Sequence, residues 1–214
     1  MTKSGWVAEK LKQQVGIAEV SVQTETRINA KYNHNSLVIA CASGDPVTGD
    51  EIDDILSDAP CAQFIVVIPK TVRIDPSAWL RCSVLNVGLG GIVDLSDGIS
   101  SGDAPRSFRN KNMRFIISRF ESVRTATAIT RIGHNTLQFF INSRSFVATF
   151  VEDYEMTEEE TVAVLAASPA SDFLIVTNPY AKGMSQDSVQ AAKDSGVRMF
   201  LLQEFVSNMK SLCS

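Results

Sequence analysis

Histidine is nearly missing from this chain: His34 and His134 are the only two among 214 residues. The four cysteines stand at 41, 61, 82 and 213, and no two of them form a C-x-x-C pair. A zinc site draws on closely spaced Cys and His pairs, so this composition argues against zinc. Both histidines fall in Asn-flanked turns, Asn33-His34-Asn35 and His134-Asn135, where polar turn formers are expected. No nucleophile elbow accompanies them, which argues against Ser/His/Asp catalysis. Long apolar runs are also missing. The longest, Phe64 to Pro69, is strand-sized, far short of the roughly 18–20 residues a membrane span needs. The N-terminal Met1-Thr2-Lys3-Ser4-Gly5-Trp6 has no apolar h-region and reads as no secretory signal. Cys41 lies in an apolar run and reads as a small buried hydrophobe. Reduced thiols fit a reducing compartment, so the expected location is cytoplasmic, with no cofactor and no membrane partner.

What the sequence does have is a repeat. Displaced by 109 positions, the chain falls into register with itself: Trp6, Val7 and Leu11 meet Phe115, Ile116 and Phe120. Thr48 and Glu51 meet Thr157 and Glu160, while Leu56, Pro60 and Phe64 meet Leu165, Pro169 and Phe173. Solenoid repeats are about 20–50 residues long, so a period this large indicates a duplicated domain. Residues 1–104 and 105–214 are the expected units. Ser96 to Pro105, rich in Ser, Gly and Asp, has the chemistry of a linker between them.

Each unit predicts an α/β order of helix, three strands, helix, strand, helix, strand. In the first, a helix over Ser4–Gln14 places Trp6, Val7 and Leu11 on one face. Strands follow over 18–22, 27–32 and 37–42. Thr48-x-x-Glu51 is a capping box opening a helix that Pro60 closes. Phe64 to Ile68 is a continuously apolar strand of the kind buried in a parallel sheet. Asp75-Pro76 starts the next helix, with Asp as N-cap and Pro at N1. Gly88 ends it, and Gly91–Leu95 is read as the last strand. Gly88-Leu89-Gly90-Gly91 is then no phosphate loop, because it follows a helix and precedes a strand; it reads as a helix cap and tight turn. The second unit repeats this with a helix over 107–124, strands over 126–131, 136–141 and 146–150, a second box at Thr157-x-x-Glu160, and closure at Pro169. A strand over 173–177, a helix capped by Ser185 and a final strand over 198–202 complete it. Ile92–Leu95 is expected to meet Met199–Leu202.

Charge is uneven. The net charge is −4; residues 1–104 carry 8 basic and 13 acidic residues, and residues 105–214 carry 12 and 11. Between 106 and 131, seven basic residues face one acid, Glu121. Arg109, Lys111, Arg114, Arg119 and Arg124 are the candidate contacts for nucleic acid or a protein partner, since lysine and arginine on phosphates make binding salt-sensitive. Pairing with the acidic first unit, or plain solvation, accounts for the same pattern. Asp45, Asp50, Glu51, Asp53 and Asp54, like Glu158, Glu159 and Glu160, are explained by the helix dipole, which favours acids in a first turn.

The element order resembles the restriction-endonuclease-like fold, in particular its Mrr-type and Holliday-junction-resolvase branches. The stretch Phe173 to Pro179 (FLIVTNP), the helix from Ser185 to Ser195, and Gly196 to Leu201 (GVRMFL) carry most of that likeness. Phe64 to Lys70 is a weaker echo. The resemblance implies tandem α-β-β-β-α-β-α-β units with mixed central sheets. It also implies a Mg²⁺ site built from an Asp on the second strand and an (Asp/Glu/Gln)-x-Lys on the third, since hard cations want carboxylate oxygens. Here the second strand offers Asn29 and the third, Leu37–Ala42, neither carboxylate nor lysine. Leu137–Phe140 and Phe146–Phe150 are equally bare. Neither unit is therefore expected to hold metal or to have catalytic residues.

The expected function is a non-catalytic binding or assembly protein of two degenerate endonuclease-like domains. They would form a pseudo-dimer within one chain, open to homo-oligomers, serving a protein partner in a DNA-processing or defence complex. The alternatives are a Mg²⁺-dependent DNA nuclease with ligands migrated to Glu9, Glu25 or Asp45, and a nucleic-acid-binding module using the 106–131 segment. A small-molecule site at the strand ends near Thr177-Asn178 is a third.

Overall fold

The computed structural model describes residues 2–168, 170–178 and 183–212. The chain divides into two compact units, Met1–Arg114 and Phe115–Ser214, each built on a five-stranded mixed sheet.

In unit one, α1 (Lys3–Lys12) starts where the Thr2 hydroxyl accepts the Gly5 N–H. Strands β1 (Ile17–Val22), β2 (Arg27–Tyr32) and β3 (Asn35–Ala42) form an antiparallel meander. Asn33 and His34 turn β2 into β3 with φ of 47° and 67°, the left-handed conformation that a two-residue hairpin demands and that Asn tolerates. Helix α2 (Gly49–Asp58), β4 (Phe64–Val67), α3 (Pro76–Leu85), β5 (Gly88–Gly90) and α4 (Ile92–Ser100) follow, with β3, β4 and β5 parallel. Alternate residues of β2 and β3 point to opposite faces. Ile28, Ala30, Tyr32, Leu37 and Ile39 meet Val7 and Leu11 of α1 and Leu95 and Ile99 of α4. Val38, Ala40 and Ala42 meet α2 and α3 through Ile52, Ile55, Ala78 and Trp79.

Unit two has the same plan: α5 (Lys111–Val123, beginning at the end of unit one), β6 (Thr127–Gly133), β7 (Thr136–Ile141), β8 (Arg144–Val151), β9 (Glu155–Met156), α6 (Glu158–Ala167), β10 (Phe173–Val176), β11 (Gly183–Met184), α7 (Gln186–Asp194), β12 (Arg198–Leu201) and α8 (Leu202–Leu212). The sheet order is β12-β10-β8-β7-β6. Its core is phenylalanine: Phe120 of α5, Phe139, Phe150 and Phe173 of the sheet and Phe205 of α8 pack together, Phe173 and Phe205 with ring centres 4.8 Å apart.

The internal likeness is detailed. Strands β2, β3 and β4 and helix α2 return as β7, β8, β10 and α6 at an offset of 109. The turn returns as Asn142-Ser143 with φ of 50° and 65°. The bulge between Ala18 and Ser21 returns between Thr127 and Thr130. The bridge Val47–Ile74 returns as the pairing of β9 with β11.

Several expectations need correction. Gly91–Leu95 is no strand: the strand is Gly88–Gly90, and Ile92 opens α4. The last strand likewise stops at Leu201, and α8 begins at Leu202. Register therefore slips by one residue, with Gly88–Gly90 answering Arg198–Phe200. Ser96–Ser100 is helical, and residues 101–110 are strapped to α4 rather than forming a free linker. Asp94, 1% exposed, accepts the Gly91 and Asn110 N–H groups, and Asp97 accepts that of Lys111. Phe108 is 2% exposed and packs on Tyr32 and Phe64. Residues 107–110 lie outside α5, which the Asn110 side chain caps at the Met113 N–H. The box at Thr157 is complete, whereas Glu51 turns away from Thr48 to accept the Ser43 and Gly44 amides. Those loop amides lie over the helix start, and one carboxylate satisfies both. Pro169, the expected end of α6, lies outside the described residues, as does Cys213.

Candidate functional site

The face of the meander opposite α1 is where the endonuclease likeness would place its metal. Asn29 stands on β2 facing Val38 of β3, and Arg27 faces Ala40. Arg27 donates from Nε to Asn29 Oδ1 at 3.2 Å, so the amide oxygen nearest the expected site is already engaged. Val38 and Ala40 are buried against α2 and α3. The Val38 backbone is gripped from the next strand: its N–H donates to Gln63 Oε1 at 3.1 Å, and its carbonyl accepts the Gln63 N–H at 2.9 Å.

Unit two builds the same clamp with other chemistry. Gln138 faces Val147, and Gln138 Nε2 donates to Ser145 Oγ at 2.9 Å. The Val147 N–H donates to Asp172 Oδ2 at 2.8 Å, and Asp172 N–H returns to the Val147 carbonyl at 2.9 Å. Where unit one has Arg27, Ala40 and Ala62, unit two has Thr136, Thr149 and Ser171. Their hydroxyls form a chain, 3.1 Å from Thr136 to Thr149 and 2.7 Å from Thr149 to Ser171. Thr149 is 4% exposed. Hydroxyls that satisfy one another are already engaged and bring no negative charge to hold a cation.

This donor set does not fit Mg²⁺. In each unit the second strand supplies a neutral amide, and the third supplies apolar or hydroxyl side chains closed over by helices. Hard cations need several carboxylate or carbonyl oxygens. Among the described residues no three His, Cys, Asp or Glu side chains gather as a metal-holding group. Glu9 pairs with Lys12 at 2.7 Å and Asp45 with Arg73 at 3.5 Å, both on the surface, while Glu25 is exposed in the bend before β2.

The five basic candidates differ in their settings. Arg109 lies in the loop before α5, and its carbonyl accepts from the Arg114 guanidinium at 3.2 Å. Arg114 also binds the Ser101 hydroxyl, donates to the Asp97 carbonyl at 3.1 Å and pairs with Asp103 at 2.9 Å. It is a tie within unit one. Lys111 and Arg119 are exposed on α5, and Arg124, exposed, follows the helix with φ of 54°. With the division after Arg114, unit one holds 12 basic and 13 acidic residues and unit two holds 8 and 11. Divided there, both units are mildly acidic and the asymmetry seen with a division at residue 104 is gone.

The glycine segment also reads differently. Gly88–Gly90 is strand β5 and Gly91 is the N-cap of α4, so the order is strand then helix after all. The Asp94 carboxylate nevertheless occupies the helix end by accepting the Gly91 N–H at 2.9 Å, and a phosphate there would meet a buried negative charge. Gly88 is needed for packing, because a Cβ there would come within 2.5 Å of the Phe64 ring. His34 and His134 both sit in exposed turns. Thr177 Oγ1 donates to the Val151 carbonyl at 2.9 Å and Asn178 Nδ2 to that of Glu152 at 3.3 Å, so both strand-end side chains brace β8. Cys41 and Cys82 are buried thiols, and burial pushes both up to about 12. Among the described residues no helix is long and apolar enough to cross a membrane. Comparison with protein-family models, curated proteins and solved structures gives no match.

Proposed function

We propose that this chain is a non-catalytic binding or assembly protein, made by duplication of a restriction-endonuclease-like domain whose two copies have both lost the magnesium grip. The observation that carries this reading is the chemistry of the third strand. Where the resemblance calls for a carboxylate and a lysine on the third strand, the units place Val38 and Val147, facing Asn29 and Gln138, and Ala40 and Thr149, facing Arg27 and Thr136. These serve packing and the clamp from Gln63 or Asp172. A scaffold relieved of a hydrophilic cleft is free to present its outer helices to a protein partner. A DNA-processing or defence complex is the setting the likeness suggests.

The test is incubation of the full chain with supercoiled plasmid and with branched DNA in Mg²⁺ and in Mn²⁺. The expected outcome is intact DNA. Cleavage abolished by Glu25→Ala would establish the migrated-site nuclease instead. A second reading, nucleic-acid binding without cleavage, draws on Lys111, Arg119 and Arg124, which are all exposed. It requires affinity that falls steeply with salt and a shallower salt slope in Arg119→Ala/Arg124→Ala.

A further inference from the structure

Helices α2 and α3 carry features that the shared fold does not require. They run parallel in matched register: the Gly49 N–H meets Ser77 Oγ at 3.0 Å, and Arg81 Nε meets Asp53 Oδ1 at 2.7 Å, both pairs 28 residues apart. On the outside of α2, Asp50, Asp54 and Asp58 are exposed and repeat every fourth residue. On the outside of α3, Leu80 and Val84, 46% and 76% exposed, repeat at the same spacing. The Arg81–Asp53 pair lies between the two rows.

The helix dipole explains Asp50 in the first turn, but not Asp54, nor Asp58 as the last residue, where the negative end of the helix repels a carboxylate. Like charges four residues apart disfavour the helix further. Unit two is the control. At the equivalent positions α6 has Glu159 in its first turn and then Ala163 and Ala167. In place of Leu80 and Val84, α7 has Gln190 and Asp194, hydrogen-bonded to each other at 2.6 Å. The same architecture therefore forms without the later acids and without an apolar row along the outside of α7; its exposed Val162 and Val189 stand singly, one on each helix.

From this contrast we infer that the α2–α3 face of unit one is a docking surface for an amphipathic helix of a partner protein. That helix carries a basic residue every fourth position beside an apolar stripe. Charge complementarity sets the basic row: Asp50, Asp54 and Asp58 advance about 6 Å per step, matching lysines or arginines four apart on an aligned helix. Leu80 and Val84 receive the apolar stripe, as in helix-in-groove recognition. The inference rests on the protein-binding reading above and names the surface that performs it.

The probe is a fluorescein-labelled helical peptide with lysine at every fourth position and leucine on the adjoining stripe, titrated with the full chain. A glutamate-for-lysine peptide and a scrambled peptide of the same composition serve as controls. The variant Asp54→Ala/Asp58→Ala/Leu80→Gln/Val84→Asp installs the residues unit two already accommodates. The patterned peptide is expected to bind the wild type and to bind the variant about tenfold or more weakly, with neither control binding. Asp54→Lys alone, an exposed change, is expected to weaken the lysine peptide and admit the glutamate one. Equal binding by wild type and variant, equal binding of the scrambled peptide, or no binding at about 100 µM would overturn the inference. So would self-association that the variant abolishes, since the occupant would then be a second copy. DNA cleavage by wild type and variant alike would sink the binding reading itself, whereas peptide failure with DNA left intact sinks only this face.

Discussion

Replacing Phe108 by alanine removes a ring that is 2% exposed and that touches Tyr32 and Phe64 at centroid distances of 5.6 and 5.7 Å. Gly98 of α4 is shaped to it, since a Cβ there would fall 2.3 Å from the ring. The site has little freedom to collapse, because the strap 101–110 is held by Asp94 and Asp97. A Phe→Ala change in such a core costs about 3–5 kcal/mol. The assay is selective. The chain's two tryptophans, Trp6 and Trp79, both belong to unit one, and Trp6 packs on the same cluster as Phe108. Tryptophan fluorescence in urea therefore follows unit one. With a slope of about 2 kcal/mol per molar, the midpoint is expected to fall by about 2 M. Phe108→Leu, which keeps most of the volume, should cost less than about 1.5 kcal/mol. An unchanged tryptophan midpoint in Phe108→Ala would refute the assignment of this segment to unit one, because a side chain in a solvated linker contributes nothing to that transition.

Other outcomes follow from particular contacts. Thr157→Ala removes a complete capping box and should destabilise unit two by about 1 kcal/mol, read as a lower melting midpoint; Thr48→Ala should do the same in unit one. Arg114→Ala breaks the Asp103 pair and three further bonds and should cost about 1–3 kcal/mol, while leaving the salt slope of any nucleic-acid binding unchanged. At pH 8, alkylation followed by mass spectrometry should label the exposed Cys61 and spare Cys41 and Cys82 until denaturant is added. The folded thiols ionise only near about 12, against about 9 for the ordinary group. Their stabilising contribution is thus full below about pH 8.5, where the unfolded thiols are still neutral. It is lost as pH rises towards the folded values, and urea midpoints should decline across that interval.

Much of the fold was legible because its signals are local. Thr48, Asp75, Thr157 and Ser185 announce helix starts through capping chemistry, and the apolar tetrads of β4 and β10 announce buried strands. The Gly88–Gly90 strand was hidden because glycine has no strand preference; its residues are chosen for close approach to Phe64 and Asp94. Helix α4 was hidden because Ile92-Val93 opens it with β-branched residues and Gly91 caps it without a side chain. Reading the strand at Gly91–Leu95 instead of Gly88–Gly90 turned a strapped segment into an apparent linker. It grouped Arg106, Arg109, Lys111 and Arg114 with the second unit, and the charge asymmetry read from that grouping disappears when the chain is divided at Arg114. The α2–α3 face was invisible for a different reason: its acids read as dipole complements until the equivalent residues of unit two stood beside them.

Titration calorimetry of Mg²⁺ into the full chain measures most directly whether both copies have lost their metal grip. No saturable heat is expected up to about 10 mM, because each third strand holds a clamped valine backbone where the proposed likeness would put a carboxylate. A stoichiometric binding isotherm, lost in Glu25→Ala or Asp172→Asn, would contradict the account.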